Sequence, residues 1–289
     1  MKGEVIAMNN QILVTGATGN IGGEIVKLLK GKKADFVAAT TGRSIEGVDS
    51  VTLDFADTQS LEVAMQGIST LFMVLANHPD MLGWGRNVID TAKKCGVKHI
   101  VRSSGSLADP NSTIGVRKVL AETNQYLEDS GIDYTITAPS FFMQNFINFF
   151  ADDYKNGAIY QPAGQGKIGW VDVRDIAAVN VEVLLNPDRF KKQKLTITGS
   201  EALSYTEAVN LMNEVLGKES EYVPVTDETA IQAMRDMQFP QFLIDVMIGL
   251  NHCIIEGYAE ELTDTVEKVT GNKPISFKQF VEDNKGSWL

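Results

Sequence analysis

Three glycines spaced three apart, Gly16, Gly19 and Gly22, follow a short apolar run, Ile12 to Val14, and open an amphipathic stretch, Asn20 to Lys30. A buried strand, a glycine turn and a helix in that order aim backbone N–H groups and a helix N-terminus at an anion, usually the pyrophosphate of a dinucleotide. Gly16 permits the tight turn out of the strand, Gly19 lets phosphates approach the backbone, and Gly22 lets the helix pack closely. Thr18, Asn20 and Ile21 complete the turn. The spacing is Gly-x-x-Gly-x-x-Gly and not the tighter Gly-x-Gly-x-x-Gly fingerprint, so a purely structural glycine turn is the competing reading.

Ligands on a parallel sheet sit at the carboxyl ends of its strands, so the residues just after each strand matter most. After the second predicted strand, Thr40 to Ser44 contains no acid to hold a ribose 2′-hydroxyl, and Arg43 is the nearby charge. A cation without an acid suits a 2′-phosphate and favours NADP(H) over NAD(H); a solvated loop cation is the alternative. Asp54 and Phe55 follow the third strand, where they either contact the adenine or, for Asp54, cap the next helix. Leu75, Ala76 and Asn77 end the fourth strand and pass under the nicotinamide ribose, and His78 is placed to reach a substrate or to pack in the loop. Ser103 and Ser104 follow the fifth strand, and Pro139, Ser140 and Phe141 the sixth. Phe141, Phe142, Met143, Phe146, Phe149 and Phe150 cluster there, either as core or as an apolar wall for a flat substrate, with Trp84, Trp170 and Asn145 as further candidates. The three histidines, 78, 99 and 252, have no metal-ligand spacing, so no metal is expected.

Alternating elements must position these residues. Strands are predicted at 12–14, 35–40, 51–53, 70–75, 98–102 and 134–138, with helices at 20–30, 60–65, 81–94 and 116–129 between them. This rhythm predicts an α/β, Rossmann-type doubly wound parallel sheet. A helix over 176–185, stopped by Pro187, leads to a seventh strand at 194–198; Asp175 is placed to stabilise that helix's start. Beyond Gly199 the pattern turns helical, beginning with a capping box at Ser204 and Glu207 and continuing at 227–237, 240–256 and 276–283. Residues 10–150 and 168–200 therefore read as the nucleotide-binding domain. Residues 151–167 and 201–289 read as a smaller, mostly helical lobe that closes over the cleft.

Composition bounds the function. A chain of 289 residues with 44% hydrophobic content can bury a full core. A net charge of −11 argues against nucleic acid and against anionic membrane surfaces. Cys95 and Cys253 stand far apart and read as buried thiols in a reducing compartment. Residues 1–8 carry too short an apolar run for a signal peptide, and no stretch reaches membrane-span length. A cytoplasmic protein is expected, with a small aromatic or quinone-like substrate and a homodimer as an allowed assembly.

Together these residues resemble the extended, atypical short-chain dehydrogenases/reductases, and more narrowly the NmrA-like family with its NADPH-dependent quinone oxidoreductase and triphenylmethane reductase relatives. The likeness runs through Thr15 to Gly22, Val88 to Ile100, Glu128 to Ile136, Phe142 to Asn145, Trp170 to Ala177, Gly199 to Leu216 and Gly271 to Phe277. Standard members of the superfamily protonate a carbonyl with Tyr-x-x-x-Lys; here Lys118 is preceded four residues earlier by Ile114, which has no proton to give. The resemblance implies reduction of quinones or cationic dyes, acceptors that take hydride readily while solvent supplies any proton, with Lys118 as a ribose or oxyanion contact or simply a surface lysine. It equally allows a non-catalytic NADP(H) sensor that acts on a protein partner.

Overall fold

The computed structural model describes residues 11–289, so the reading of residues 1–8 lies outside the described residues. In the first half strands and helices alternate except where β2 leads directly to β3: β1 (Gln11–Val14), α1 (Asn20–Gly31), β2 (Phe36–Thr40), β3 (Ser50–Thr52), α2 (Thr58–Ala64), β4 (Ile68–Val74), α3 (Met81–Cys95), β5 (His99–Ser103), α4 (Gly115–Asp129) and β6 (Asp133–Pro139). Two short helices, α5 (Asn145–Asn148) and α6 (Ala151–Lys155), lead to β7 (Ala158–Gln161). The chain then returns through α7 (Val173–Leu185) to β8 (Gln193–Ile197). It ends with α8 (Tyr205–Leu216), β9 (Glu221–Pro224), α9 (Asp227–Asp236), α10 (Gln241–Ile255), α11 (Thr265–Thr270) and α12 (Phe277–Asp283).

The main sheet is parallel throughout, in the order β3-β2-β1-β4-β5-β6-β8. Both faces are buried, as parallel sheets require. Ile12, Val14, Phe72 and Val101 face one core with Ile25 and Leu29 of α1 and Ile176 and Val183 of α7. Leu13, Leu71, Met73 and Ile100 face the other with Leu61, Val88 and Leu127 from α2, α3 and α4. The alternation along β1 and β4 is the two-residue period of a strand.

A third core belongs to the smaller lobe. Phe146, Trp170, Tyr205 and Phe277 pack there with centroids 5.0–5.9 Å apart, edge to face but for the tilted Phe146–Tyr205 pair. Trp170 is fully buried and donates to the Leu203 carbonyl, so it is core and not a cleft residue. Met143, Phe146 and Phe150 are core as well, whereas Phe149 is 60% exposed. The lobe also holds a two-strand parallel sheet, β7 with β9, and the helix α11, neither of which the sequence reading anticipated. Val266 of α11 packs into the first core beside α7, so the 201–289 segment reaches back onto the Rossmann layers. The Asp172 carboxylate caps α7 by accepting from Arg174 N–H, while Asp175, buried in the first turn, accepts from Ile275 N–H at 2.8 Å. Cys253 is buried but Cys95 is only half-buried, a correction to its reading as a buried thiol.

Candidate active site

The strand order reverses between β1 and β4, and the loops leaving these strands diverge to opposite faces. The resulting crevice is where a doubly wound sheet holds its ligand. Thr15 pins its floor: its hydroxyl donates to the Phe72 carbonyl at 3.0 Å and accepts from Val74 N–H at 3.0 Å. From there the chain turns at Gly16, whose φ of +62° lies in the left-handed region. The turn closes so tightly that a Cβ at Gly22 would sit 2.1 Å from the Gly16 carbonyl oxygen. Gly22 is thus a contact between the helix and its own loop. Gly19 is the N-cap of α1, in extended conformation, and no side chain caps the helix. The first N–H groups of α1 therefore face the crevice unclaimed, with the positive end of the helix dipole behind them.

The crevice is a cavity of about 790 Å³. It brings together the predicted Gly16, Thr18, Gly19, Asn20, Ile21 and Gly22 with Asp54, Phe55, Leu75 and Ala76, and places Trp84 and Phe142 in the same wall. Thr40, Thr41, Thr52 and Leu53 line it too. Their only signal in the sequence is their position at the ends of β2 and β3. These residues fit a dinucleotide: the loop has room for phosphates where any side chain would collide, and the same cavity is lined by the uncapped start of α1 and by the aromatic side chains of Phe55, Trp84 and Phe142. Asp54 does not cap α2; its carboxylate accepts from Ala56 N–H, and the cap is Asp57. Arg43 is exposed on the loop after β2 and, among the described residues, has no hydrogen bond or ion pair.

Other predicted residues lie close by but do not line this cavity. Ser103 ends β5 and is buried; Ser104 N–H donates to the Thr137 carbonyl, and its buried hydroxyl has no partner. Pro139 ends β6 and Ser140 follows it, its N–H donating to the Ile197 carbonyl, and Phe141 meets Trp170 edge to face at 6.0 Å. Asn145 starts α5. Lys118 points from α4 into solvent, 3.9 Å from Glu122 and 55% exposed, and lines neither cavity. One residue before Ser103, the guanidinium of Arg102 is buried, its Nε donating to Asn124 at 2.8 Å; burial pulls its pKa down to about 10.

His78 lies at the boundary of two spaces. Its ring stacks on Trp84 at 4.0 Å with planes 14° apart, and its Nδ1 accepts from Asp80 N–H at 3.1 Å. On its far side is a second cavity of about 250 Å³, shared with Asn77, between the start of α4 (Gly115, Val116, Val119) and α10 (Phe242, Asp245, Val246). No motif marks α10, and only the folded chain brings its residues to the strand ends. Among the described residues no group of three or more metal-ligating side chains converges, and no helix is long and apolar enough to cross a membrane.

Comparison with protein families matches residues 8–277 to the NmrA-like family. The chain is 36% identical over 277 residues to the NAD(P)H azoreductase of Xenophilus azovorans, covering 94% of this chain and 96% of that protein. Among solved structures, the NADPH complex of the Escherichia coli NADPH-dependent quinone oxidoreductase superposes with a TM-score of 0.85 at 24% identity, over 94% of this chain and 99% of the other. The Citrobacter triphenylmethane reductase with NADP(H) gives 0.83 at 24% identity over the same shares. These two likenesses concern the fold.

Proposed function

We propose that this chain, which belongs to the NmrA-like family, is an NAD(P)H-dependent reductase that passes hydride to a flat, conjugated acceptor such as a quinone or a dye. The observation that carries this reading is the cavity at the β1/β4 reversal, lined by the uncapped N-terminus of α1 and by the aromatic side chains of Phe55, Trp84 and Phe142. The azoreductase of 36% identity, which matches nearly end to end, adds to it.

The bound dinucleotide supplies the hydride. The chain's own residues bind and orient: the first N–H groups of α1 take the pyrophosphate, Asp54 and Phe55 flank the adenine end, and Leu75 and Ala76 run beneath the nicotinamide end. Arg43, exposed and unpaired among the described residues, is the residue we assign to a 2′-phosphate, which makes NADP(H) the preferred form. The Tyr-x-x-x-Lys position gives no acid, since Ile114 stands there and Lys118 is turned to solvent. Reduction by this site therefore suits acceptors that need no protein proton in the hydride step.

Two half-buried or buried free thiols and the acidic surface support a reducing compartment and a small-molecule partner over nucleic acid. The sensor reading has less support, because the relative at 36% identity is named for its catalysis. The deciding experiment mixes pure protein with NADPH or NADH and a panel of quinones, azo dyes and triarylmethane dyes. Acceptor-dependent loss of nicotinamide absorbance, faster with NADPH, is expected; tight NADPH binding without turnover of any acceptor would favour the sensor.

A further inference from the structure

The chain that leaves β6 keeps the alternation of a strand after the strand itself has ended. Val171 N–H donates to the Phe141 carbonyl and Met143 N–H to the Val171 carbonyl, each at 2.9 Å. Neighbouring side chains therefore point to opposite sides. Phe141 and Met143 pack into the core of the smaller lobe, whereas Phe142 packs against the first core and lines the nucleotide cavity. The residue two further on, Gln144, ties this segment to the start of α7. Its Nε2 donates to Asp172 Oδ1 at 3.0 Å, and its Oε1 accepts from Val173 N–H at 2.9 Å. Asp172 is the N-cap of α7 and its own carboxylate accepts from Arg174 N–H, so Gln144 takes a first-turn donor that this cap leaves free. Asp172 is fully buried; the Arg174 guanidinium balances its charge at 2.8 Å and reaches Asp283 of α12 at 2.7 Å.

We propose that Gln144 is a positioning residue for the coenzyme: by spanning Asp172 and Val173 it holds the Phe142 ring in the wall of the nucleotide cavity. The inference rests on the nucleotide-binding part of the reductase reading and adds a residue that itself lines neither cavity. The chemistry of the two partners calls for an amide. One is a carboxylate that only accepts and the other an N–H that only donates, and a glutamine side chain offers one donor and one acceptor group on a single plane. Two bonds from that plane fix the orientation of the segment, where one would leave it free to pivot. Removing the amide strips Val173 N–H of its partner and takes a donor from a buried carboxylate, so water or a shifted backbone must replace it, two residues from Phe142. A wall that is already formed costs nothing to order when the coenzyme arrives; a loosened one is ordered at the expense of affinity.

The test titrates NADP⁺ or NAD⁺, whichever wild type binds more tightly, into the full chain and into Gln144→Met, Phe142→Leu, their double variant and Gln144→Glu, with calorimetric readout. Methionine keeps the length of Gln144 and makes neither hydrogen bond. Gln144→Met and Phe142→Leu should each weaken the coenzyme roughly tenfold, and the double variant no more than Phe142→Leu alone, because the two side chains act through one contact. Gln144→Glu sets a second carboxylate against Asp172 and should bind at least as weakly at about pH 8; at about pH 5.5 its protonated side chain donates and accepts as the amide does, and affinity relative to wild type at the same pH returns. Wild-type affinity in Gln144→Met, or additive losses in the double variant, would overturn the inference and leave the nucleotide reading intact. Should Gln144→Met fail to fold, Gln144→Glu decides alone: the same deficit at both pH values, or none at either, would overturn it. If wild type binds neither coenzyme, the nucleotide reading fails and the inference with it.

Discussion

Ile114 fits into the space left by Gly249. A Cβ on Gly249 would stand 2.6 Å from Ile114 Cγ2, so the N-cap of α4 and the middle of α10 touch through the absence of a side chain. Ile114 is therefore a packing residue that joins the start of α4 to α10. Gly249→Ala is expected to lower stability by about 1–2 kcal/mol, because overpacking against a stiff β-branched side chain outweighs the gain in helix propensity. Ile114→Ala in the same chain should recover most of that loss. Denaturant midpoints of the two single variants and the double variant check it: additive effects would mean that the two residues are not coupled.

The glycine loop gives a sharper expectation. Gly22→Ala forces a Cβ to within 2.1 Å of the Gly16 oxygen, and backbone on both sides must move. The chain should still fold, since the clash is confined to the turn between β1 and α1, but NADPH affinity should fall by about a hundredfold or more as the N–H groups lose their common aim. Calorimetric titration with NADPH reads it directly. An affinity within threefold of wild type would show that the phosphates bind elsewhere.

Arg43 is the residue proposed to separate the two nicotinamide coenzymes. It is exposed and unpaired among the described residues, so Arg43→Ala removes a cation without disturbing the fold. NADPH should bind roughly tenfold more weakly and NADH almost unchanged, a difference of about 1.4 kcal/mol for one lost charge-assisted contact. Parallel loss for both coenzymes would move the 2′-phosphate contact to Thr40, Thr41 or Thr52.

Local physics made the main sheet and the capped helix starts legible. The turn at Gly16, the capping box at Ser204 and the seven parallel strands are each fixed by residues within a few positions, and their periods survive in the sequence. The second cavity was hidden for the opposite reason. Phe242 and Asp245 lie more than 160 residues from His78, on a helix whose apolar content marks it only as buried, and nothing local says which sheet end it covers. β7 and β9 were hidden likewise: each is a 4-residue strand whose partner is over 60 residues away. His78, read in the sequence as placed to reach a substrate or to pack in the loop, lines the second cavity, but its stacking on Trp84 depends on how α3 leaves the loop, which spacing alone does not give.

Two buried titratable groups should set opposing pH dependences. Burial pushes the Asp175 carboxyl up to about 6, with the Ile275 N–H bond opposing the shift, so the folded chain holds a proton there that the unfolded chain releases near 3.8. That contribution to stability is present below pH 4 and is lost as pH rises through 6. Burial pulls His99 down to about 4. Its Nε2 lies 2.9 Å from the Thr135 hydroxyl, which itself donates to the Phe190 carbonyl at 2.8 Å, so the imidazole supplies the proton and is held neutral. Its contribution is present above pH 6.5 and is lost as pH falls towards 4. Across the same window the two slopes oppose each other and flatten the stability profile. Asp175→Asn keeps an acceptor for Ile275 N–H and removes only the titration. Relative to wild type it should therefore gain on the order of 2 kcal/mol between pH 4 and pH 7. Urea unfolding at half-unit pH intervals measures that difference, and two parallel profiles would show that Asp175 ionises as freely in the folded chain as in the unfolded one.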